Sequence, residues 1–430
     1  MSDIRADTAT QVAPAGKAAS RWTEPAMKQR VRRRYRAERL FRSAGLLAIG
    51  LSVLFLAFLL WRMASQGIGG FTIYEAQLPI DFAKSDLFLD PAAVRGPEGR
   101  QQVLNADIGG AISNAAVAAY GPDGANMFSD AAINVVTDAI IADPDILQRS
   151  TSLWLPVGSK LDVAAKSDGD SVSEKLVTGL EPKHALRRAL NRQFLEGSDA
   201  TDPSSVGIWG ALKGTFYTIL VTIALAFPVG VLAAMYLEEF APRNRWTDAI
   251  EVSINNLAAV PSIIFGLLGL AIFLDVMNLP RSAPLVGGMT LALMTFPVIV
   301  IAGRNAIQSV PPSIRDAALG VGASKMQVTF HHVLPMALPG ILTGTIIGVA
   351  RALGETAPLL MIGMRAFVAA PPGGLTDPAT VLPVQIFLWS DEVDRGFVEK
   401  TSAAIIVLLL FMLLMNGLAI YLRNRFERRW

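Results

Sequence analysis

Arg315-Asp316-Ala317-Ala318, then Gly322 four residues on, then Leu334-Pro335 at the head of a long apolar run, form the most informative stretch of this chain. The stretch is a polar, alanine- and glycine-rich insert between two hydrophobic segments, where an ordinary connection needs only a few residues. Working outward from it, the flanks are too apolar for a soluble protein. The 430 residues are 52% hydrophobic and only 17% charged, and the apolar residues are concentrated. Six stretches are long enough to cross about 30 Å of hydrocarbon as helices: Ala44–Trp61, Trp209–Leu237, Val252–Met277, Leu285–Ala302, Leu334–Leu360 and Ala403–Tyr421. Between the first and second, residues 63–206 have the composition of a soluble domain.

Basic residues set the orientation. Lys28, Arg30, Arg32, Arg33, Arg34, Arg36, Arg39 and Arg42 precede the first span, and Arg423, Arg425, Arg428 and Arg429 follow the last. Both ends are therefore expected in the cytoplasm, as an even number of spans requires. Arg243 and Arg245 after span two, and Arg315 and Lys325 before span five, fall on the same side. The segment 63–206 then lies outside. Lipid and topology explain the N-terminal arginines better than a nucleic-acid arm does. Span one is longer than a signal-peptide core and sits behind some 40 residues, so it reads as an uncleaved anchor. The chain has no cysteine, which excludes disulfides and thiolate chemistry.

Residues 1–20 read as disordered and 21–43 as a basic helix entering the first span. In the outer segment, Thr151–Val157 alternates as a strand. Asp130–Ile141 and Ser171–Leu180 carry apolar residues at helical spacing, and Pro182–Leu195 reads as an amphipathic helix. A mixed α/β domain is expected there. Asp123, Asp130, Asp143 and Asp145 match no calcium-loop spacing and read as solvated loop acids, and no metal site or catalytic constellation is expected. In the apolar half, Pro228, Pro261, Pro297 and Pro339 place a proline in or at the entry of four successive spans, which suggests bent helices around a path.

Gly340, Gly344 and Gly348, with Ala352, recur every four residues and line one face of span five. Small residues at that period let helix backbones approach closely, either within this chain or against a second subunit. Arg351 lies about 24 Å along the helix from Pro335, in the outer half of the membrane, and Glu355 follows one turn later. Such charges cost on the order of 2.5–3.5 kcal/mol each to insert. They serve either as a structural ion pair or as a transient anion site in which the arginine fork grips an oxyanion. Arg304, at the expected cytoplasmic end of span four, either snorkels to the headgroups or offers an exit site. A proton-coupled transporter using Glu355 is the rival from another class. No G-x-x-x-x-G-K-[ST] occurs, so ATP hydrolysis is not expected on this chain.

The spacing of Asp316-Ala317-Ala318, Gly322 and Leu334-Pro335 resembles the Glu-Ala-Ala signature of permease subunits of bacterial ABC importers, with Asp316 in place of Glu and His332 in place of Ile. Three further stretches are similar to the phosphate branch of these permeases. They are Leu237-Glu238-Glu239-Phe240-Ala241-Pro242, Ala259-Val260-Pro261-Ser262-Ile263-Ile264-Phe265-Gly266, and Arg351-Ala352-Leu353-Gly354-Glu355-Thr356-Ala357-Pro358-Leu359-Leu360. The Ala-Pro-Leu ending of the last favours the PstA type over the PstC type.

The resemblance covers about Gly207 to Arg425; residues 63–206 are longer than the outer loop of a minimal member. It implies an all-α polytopic membrane protein with six transmembrane helices of the ABC importer permease (MetI-like) type, here carrying an inserted mixed α/β extracytoplasmic domain. The expected order is a basic cytoplasmic tail over 1–43, a first transmembrane helix over 44–62, and the extracytoplasmic domain over 63–206. The permease core follows over 207–425, with a coupling helix at 312–332, and a cytoplasmic tail over 426–430.

The implied partners are a second permease of the PstC type, a homodimeric ATPase of the PstB type carrying ATP-Mg, and an extracytoplasmic phosphate-binding protein of the PstS type, all at a bacterial inner membrane. No cofactor is expected on this chain. The implied roles are ATPase coupling for Asp316, Ala317, Ala318, Gly322, Leu334 and Pro335, and the substrate path for Arg351, Glu355 and Arg304. Ala317, Ala318 and Gly322 are expected to be small so that the helix can sit close to the ATPase. Another oxyanion in place of phosphate is the nearest alternative cargo.

Overall fold

Long apolar runs become helices because a backbone surrounded by hydrocarbon must satisfy its own polar groups. The computed structural model describes residues 25–85, 87–166, 177–178 and 185–426. The expected disordered tail over 1–20, most of the helix expected at Ser171–Leu180, and the last four residues lie outside these. Helix α1 runs unbroken over Pro25–Gly70, well beyond the apolar segment at its centre. Residues up to Arg62 form one body and those from Met63 onward a second.

The second body opens with the segment after α1. Strand β1 (Thr72–Asp81) is followed by helices α2 (Pro91–Val94), α3 (Gly99–Leu104), α4 (Ile108–Tyr120) and α5 (Ala131–Ala142). Then come β2 (Ser150–Pro156), α6 (Ser159–Lys166), β3 (Leu186–Leu190) and α7 (Arg192–Glu196). The strands form an antiparallel sheet in the order β2-β1-β3. Leu78, Ile80 and Leu155 on one sheet face pack against Ile108, Ile112 and Ala116 of α4 and Ala132, Val136 and Ile140 of α5. Both helices present residues four apart, the spacing that puts side chains on one stripe.

The strand expected at Thr151–Val157 and the helix expected at Asp130–Ile141 are present within a residue or two. The helix expected over Pro182–Leu195 is not. Its described part pairs Leu186–Leu190 with Thr72–Ala76, because β1 otherwise has an open edge. Asn191 then accepts a bond from the Phe194 amide and starts α7.

The bundle consists of α8 (Trp209–Phe240), α9 (Arg245–Ala258), α10 (Ser262–Val276), α11 (Pro284–Gln308), α12 (Pro312–Gly320), α13 (Lys325–Leu353), α14 (Ala357–Met361), α15 (Leu382–Ser390) and α16 (Gly396–Phe426). Five helices among the described residues are long and apolar enough to cross a membrane. The span expected at Val252–Met277, with Pro261 inside it, is the pair α9 and α10, bent by 102°. Pro261 lacks the N–H that would continue the ladder, and the residue before a proline is pushed out of helical geometry. Helices α8, α11 and α13 continue through Pro228, Pro297 and Pro339.

The glycine stripe packs within the chain. A Cβ added to Gly344 would lie 2.0 Å from that of Ala302, one on Gly340 2.7 Å from that of Ala306, and one on Gly348 3.0 Å from Thr295 Cγ2. Of the two partners open in the sequence, the structure puts α11 against this face. Buried threonines satisfy themselves: Thr215, Thr222, Thr290, Thr295 and Thr345 each donate to the carbonyl four residues back.

Residues 191–208 enter a core shared with α15 and α16, where Phe194, Val206 and Ile208 meet Leu382, Trp389, Phe397 and Ala403. Helix α15 is buried through Leu382, Val384, Gln385 and Trp389.

Candidate functional site

The insert between α11 and α13 is a helix–turn built by local rules. Pro311-Pro312 open α12; a proline there gives up an N–H with no intrahelical partner. Gly322 ends the following turn at φ +87°, a left-handed geometry that other residues resist. Ser324 and Gln327 then close a reciprocal capping box that starts α13.

Asp316 and Ala317 are exposed, beside Leu319, Val321 and Met326, whose apolar side chains are also exposed. Ala318 points the other way and is buried in the bundle core with Ile307, Val328 and Val333. Open space surrounds the missing Cβ of Gly322. Two of the three small residues are thus explained by this chain's own fold: Ala318 by packing and Gly322 by its backbone angle. Leu334 and Pro335 are half-buried, about two and a half turns into the continuous helix.

One ion-pair assembly fixes the insert to the bundle, and a second ties α8, α9 and α11 together beside it. Arg315 donates to Glu239 Oε1 from Nε at 3.0 Å and from Nη2 at 2.8 Å. It also donates to the carbonyls of Val310 at 2.7 Å and Ile307 at 2.9 Å, which belong to the end of α11. Beside it, Arg304 donates to Glu238 at 2.6 Å and to Glu251 at 2.7 Å, and Gln308 donates to Glu238 at 2.9 Å. The Arg304 side chain is only 16% exposed. It neither snorkels outward nor stands open to an anion, because two carboxylates occupy its fork. The sequence reading missed both partners, although Glu238-Glu239 was among the quoted motifs.

Arg351 lies in the last turn of α13, which ends at Leu353. Glu355 is therefore beyond the helix rather than on its face, and the expected span to Leu360 is cut short at Gly354. The two side chains still meet, at 3.5 Å from Nε to Oε1. The contact is long for an ion pair, and the Arg351 side chain remains 52% exposed. After Thr356 the chain turns into α14, which crosses α10. There a Cβ on Gly266 would lie 2.6 Å from Pro358 Cα. The quoted motifs thus meet in pairs: Glu238-Glu239 with Arg315, and the Gly266 stretch with the Pro358 stretch. Among the described residues no group of three or more His, Asp or Glu side chains is placed to hold a metal ion.

A family model described as "Binding-protein-dependent transport system inner membrane component" matches residues 226–430, and a domain of unknown function, DUF3333, matches residues 28–175. The probable ABC transporter permease protein YqgI of Bacillus subtilis (strain 168) is 33% identical over 172 residues, 40% of this chain and 58% of that protein. Phosphate transport system permease protein PstA 1 of Mycobacterium tuberculosis (strain CDC 1551 / Oshkosh) is 33% identical over 179 residues, 42% of this chain and 55% of that one. Phosphate transport system permease protein PstA of Yersinia pestis is 31% identical over 228 residues, 53% of this chain and 75% of that one. The chain thus spans little more than half the length of the first two relatives and three quarters of the third. It is a multi-pass membrane protein that belongs to the family of binding-protein-dependent transport system inner membrane components, in its PstA-type branch.

Proposed function

We propose that the chain is a permease subunit of an ATP-driven phosphate importer, forming with a second, PstC-type permease the transmembrane path for inorganic phosphate. A PstS-type binding protein delivers the anion, and a homodimeric PstB-type ATPase carrying ATP-Mg drives the cycle. The observation that carries this reading is the insert. Asp316 and Ala317 stand exposed among Leu319, Val321 and Met326, while Arg315 and Ala318 hold the other side to the bundle. An apolar patch with one acid, rigidly mounted between two spans, suits docking onto a separate protein. ATP-driven movement of that protein would push on the insert and rock the bundle.

Arg351 supports the choice of an oxyanion as cargo. Its guanidinium is half exposed and only loosely held by Glu355, so its fork is available for a transient bidentate contact. Arg304 plays no part in the path and ties α11 to α8 and α9 instead. The arginine-rich ends support a cytoplasmic position for both termini, with residues 63–206 in the periplasm against the binding protein or the partner permease.

Phosphate uptake into vesicles holding the full complex tests the assignment, with Arg351→Ala and Asp316→Arg checked for equal insertion and for co-purification of the ATPase. Loss of uptake in both variants, with the ATPase lost only from the Asp316 variant, is the expected result. Normal uptake with Arg351→Ala would make the Arg351–Glu355 pair structural. Deleting residues 75–195 without loss of assembly or uptake would remove the outer segment from the transport cycle.

A further inference from the structure

The segment after α1 meets the ends of two membrane helices around a cavity of about 680 Å³. The last turns of α1, including Ile68, form one wall and the start of α16, with Val398 and Glu399, another. Lys166 of α6, Arg188 of β3 and Arg395 supply cations. Three positive side chains against one carboxylate leave the lining net positive. Lys166 is committed to Glu399, Asp162 and two carbonyls. Arg188 donates only to the Thr72 hydroxyl, at 3.0 Å, and Arg395 is exposed. Neither has a carboxylate partner among the described residues.

The depth of the cavity identifies the occupant. On α16 the apolar run begins at Ala403, and Val398 and Glu399 precede it by about 6–8 Å at 1.5 Å per residue. The polar layer of a bilayer is about 5–7 Å thick on each side, the difference between its full and hydrocarbon thickness. The α16 side of the cavity is therefore level with the headgroups. Ile68 is 58% exposed and Val398 53% exposed beside it, so apolar side chains flank the cations. We propose that this cavity is a binding site for an anionic phospholipid. The headgroup phosphate lies between Arg188 and Arg395, and the lipid's glycerol backbone lies against Ile68 and Val398. The bound lipid ties residues 63–206 to the bilayer at the start of α16. A soluble phosphate would meet the same arginines but would leave the apolar flank without a role.

The test uses the full chain, in its complex, reconstituted in nanodiscs of neutral phosphatidylcholine with or without phosphatidylglycerol, and reads lipid retention by native mass spectrometry together with the melting temperature. Phosphatidylglycerol is expected to be retained and to raise the melting temperature of the wild type. Arg395→Gln, at an exposed side chain, and Arg188→Gln/Arg395→Gln should lose at least tenfold in retention. Arg100→Gln, elsewhere on the same domain, should lose none. Equal retention in the Arg395 variants, or an equal loss with Arg100→Gln, would reduce the effect to bulk surface charge and overturn the site. A melting shift produced by inorganic phosphate in neutral nanodiscs and abolished in Arg188→Gln/Arg395→Gln would assign the arginines to a soluble anion and overturn the lipid. Because neither readout involves transport, failure of phosphate uptake would leave this result intact.

Discussion

Lys166 reaches Glu399, 233 residues further along the chain, at 3.0 Å. The same ammonium lies 2.6 Å from Asp162 and donates to the carbonyls of Gly69 and Thr72 at 2.8 and 2.7 Å. One lysine therefore joins the end of α1, the sheet, α6 and α16. Its side chain and that of Asp162 are each 8% exposed. Lys166→Met keeps most of the volume but strands two carboxylates, and removing one partner of a buried pair costs on the order of 3–5 kcal/mol. The expected outcome is a lower melting temperature and faster proteolysis within residues 63–206. Unchanged cleavage would mean that the shared apolar core around Phe194 holds the segment without the lysine.

Arg315 and Glu239 form the link that a double-mutant cycle should resolve. Each hydrogen bond to a charged group contributes about 1.5–3 kcal/mol. Arg315→Ala also removes the donor to the Val310 carbonyl and one of the donors to that of Ile307, which keeps the Val310 amide, so it should destabilise the protein more than Glu239→Ala does. A positive coupling energy within about 0.5–3 kcal/mol is expected from thermal unfolding of the two single variants and the double variant. Additive losses would show that Arg315 acts through the carbonyls alone.

Helix α13 against α11 yields a graded series. Alanine at Gly344 would place a Cβ 2.0 Å from that of Ala302, at Gly340 2.7 Å from that of Ala306, and at Gly348 3.0 Å from Thr295 Cγ2. None of these neighbours is the far end of a flexible side chain, so the helices must separate; overpacking of this kind costs about 1–3 kcal/mol. The predicted order of damage is Gly344, then Gly340, then Gly348, measured as folded yield in detergent. Gly417→Ala, with nothing within 4 Å, should be neutral. Ala302→Gly should rescue Gly344→Ala; if it does not, the contact is misassigned.

What the sequence revealed depended on how local each determinant is. Apolar length marked the spans, and the spacing from Asp316 to Pro335 marked the insert, because each is written in consecutive residues. The Pro261 break was ambiguous because Pro228, Pro297 and Pro339 carry the same local signal yet stay inside helices. Strand β3 needs the open edge of β1, more than a hundred residues earlier. Arg304 looked like a lipid-facing or substrate-facing cation because its partners, Glu238 and Glu251, come from two other elements. The glycine stripe announced a close approach but not its partner, which only the position of Ala302 supplies.

Asp199, in the connector before α8, links the outer segment to α15 and should give the protein a measurable acid response. Burial raises its carboxyl above the ordinary 3.8, against the hydrogen bonds it accepts from Trp389 and Gln385, and Glu392 adds to the rise. The folded chain therefore holds this proton to higher pH than the unfolded chain does. Between 3.8 and the raised value the unfolded state has already lost it, so stability falls as pH rises through that window and is flat above it. For one proton the slope is at most about 1.4 kcal/mol per pH unit. Asp199→Asn keeps an oxygen for Trp389 Nε1, at 3.2 Å, and Gln385 Nε2, at 2.9 Å, and removes the titration. Melting curves from about pH 4 to pH 7 should show the decline in the wild type and a shallower one in the variant. Identical profiles would place the acid response at another carboxyl, and would mean that water reaches Asp199 despite the packing of Trp389 and Phe194 beside it.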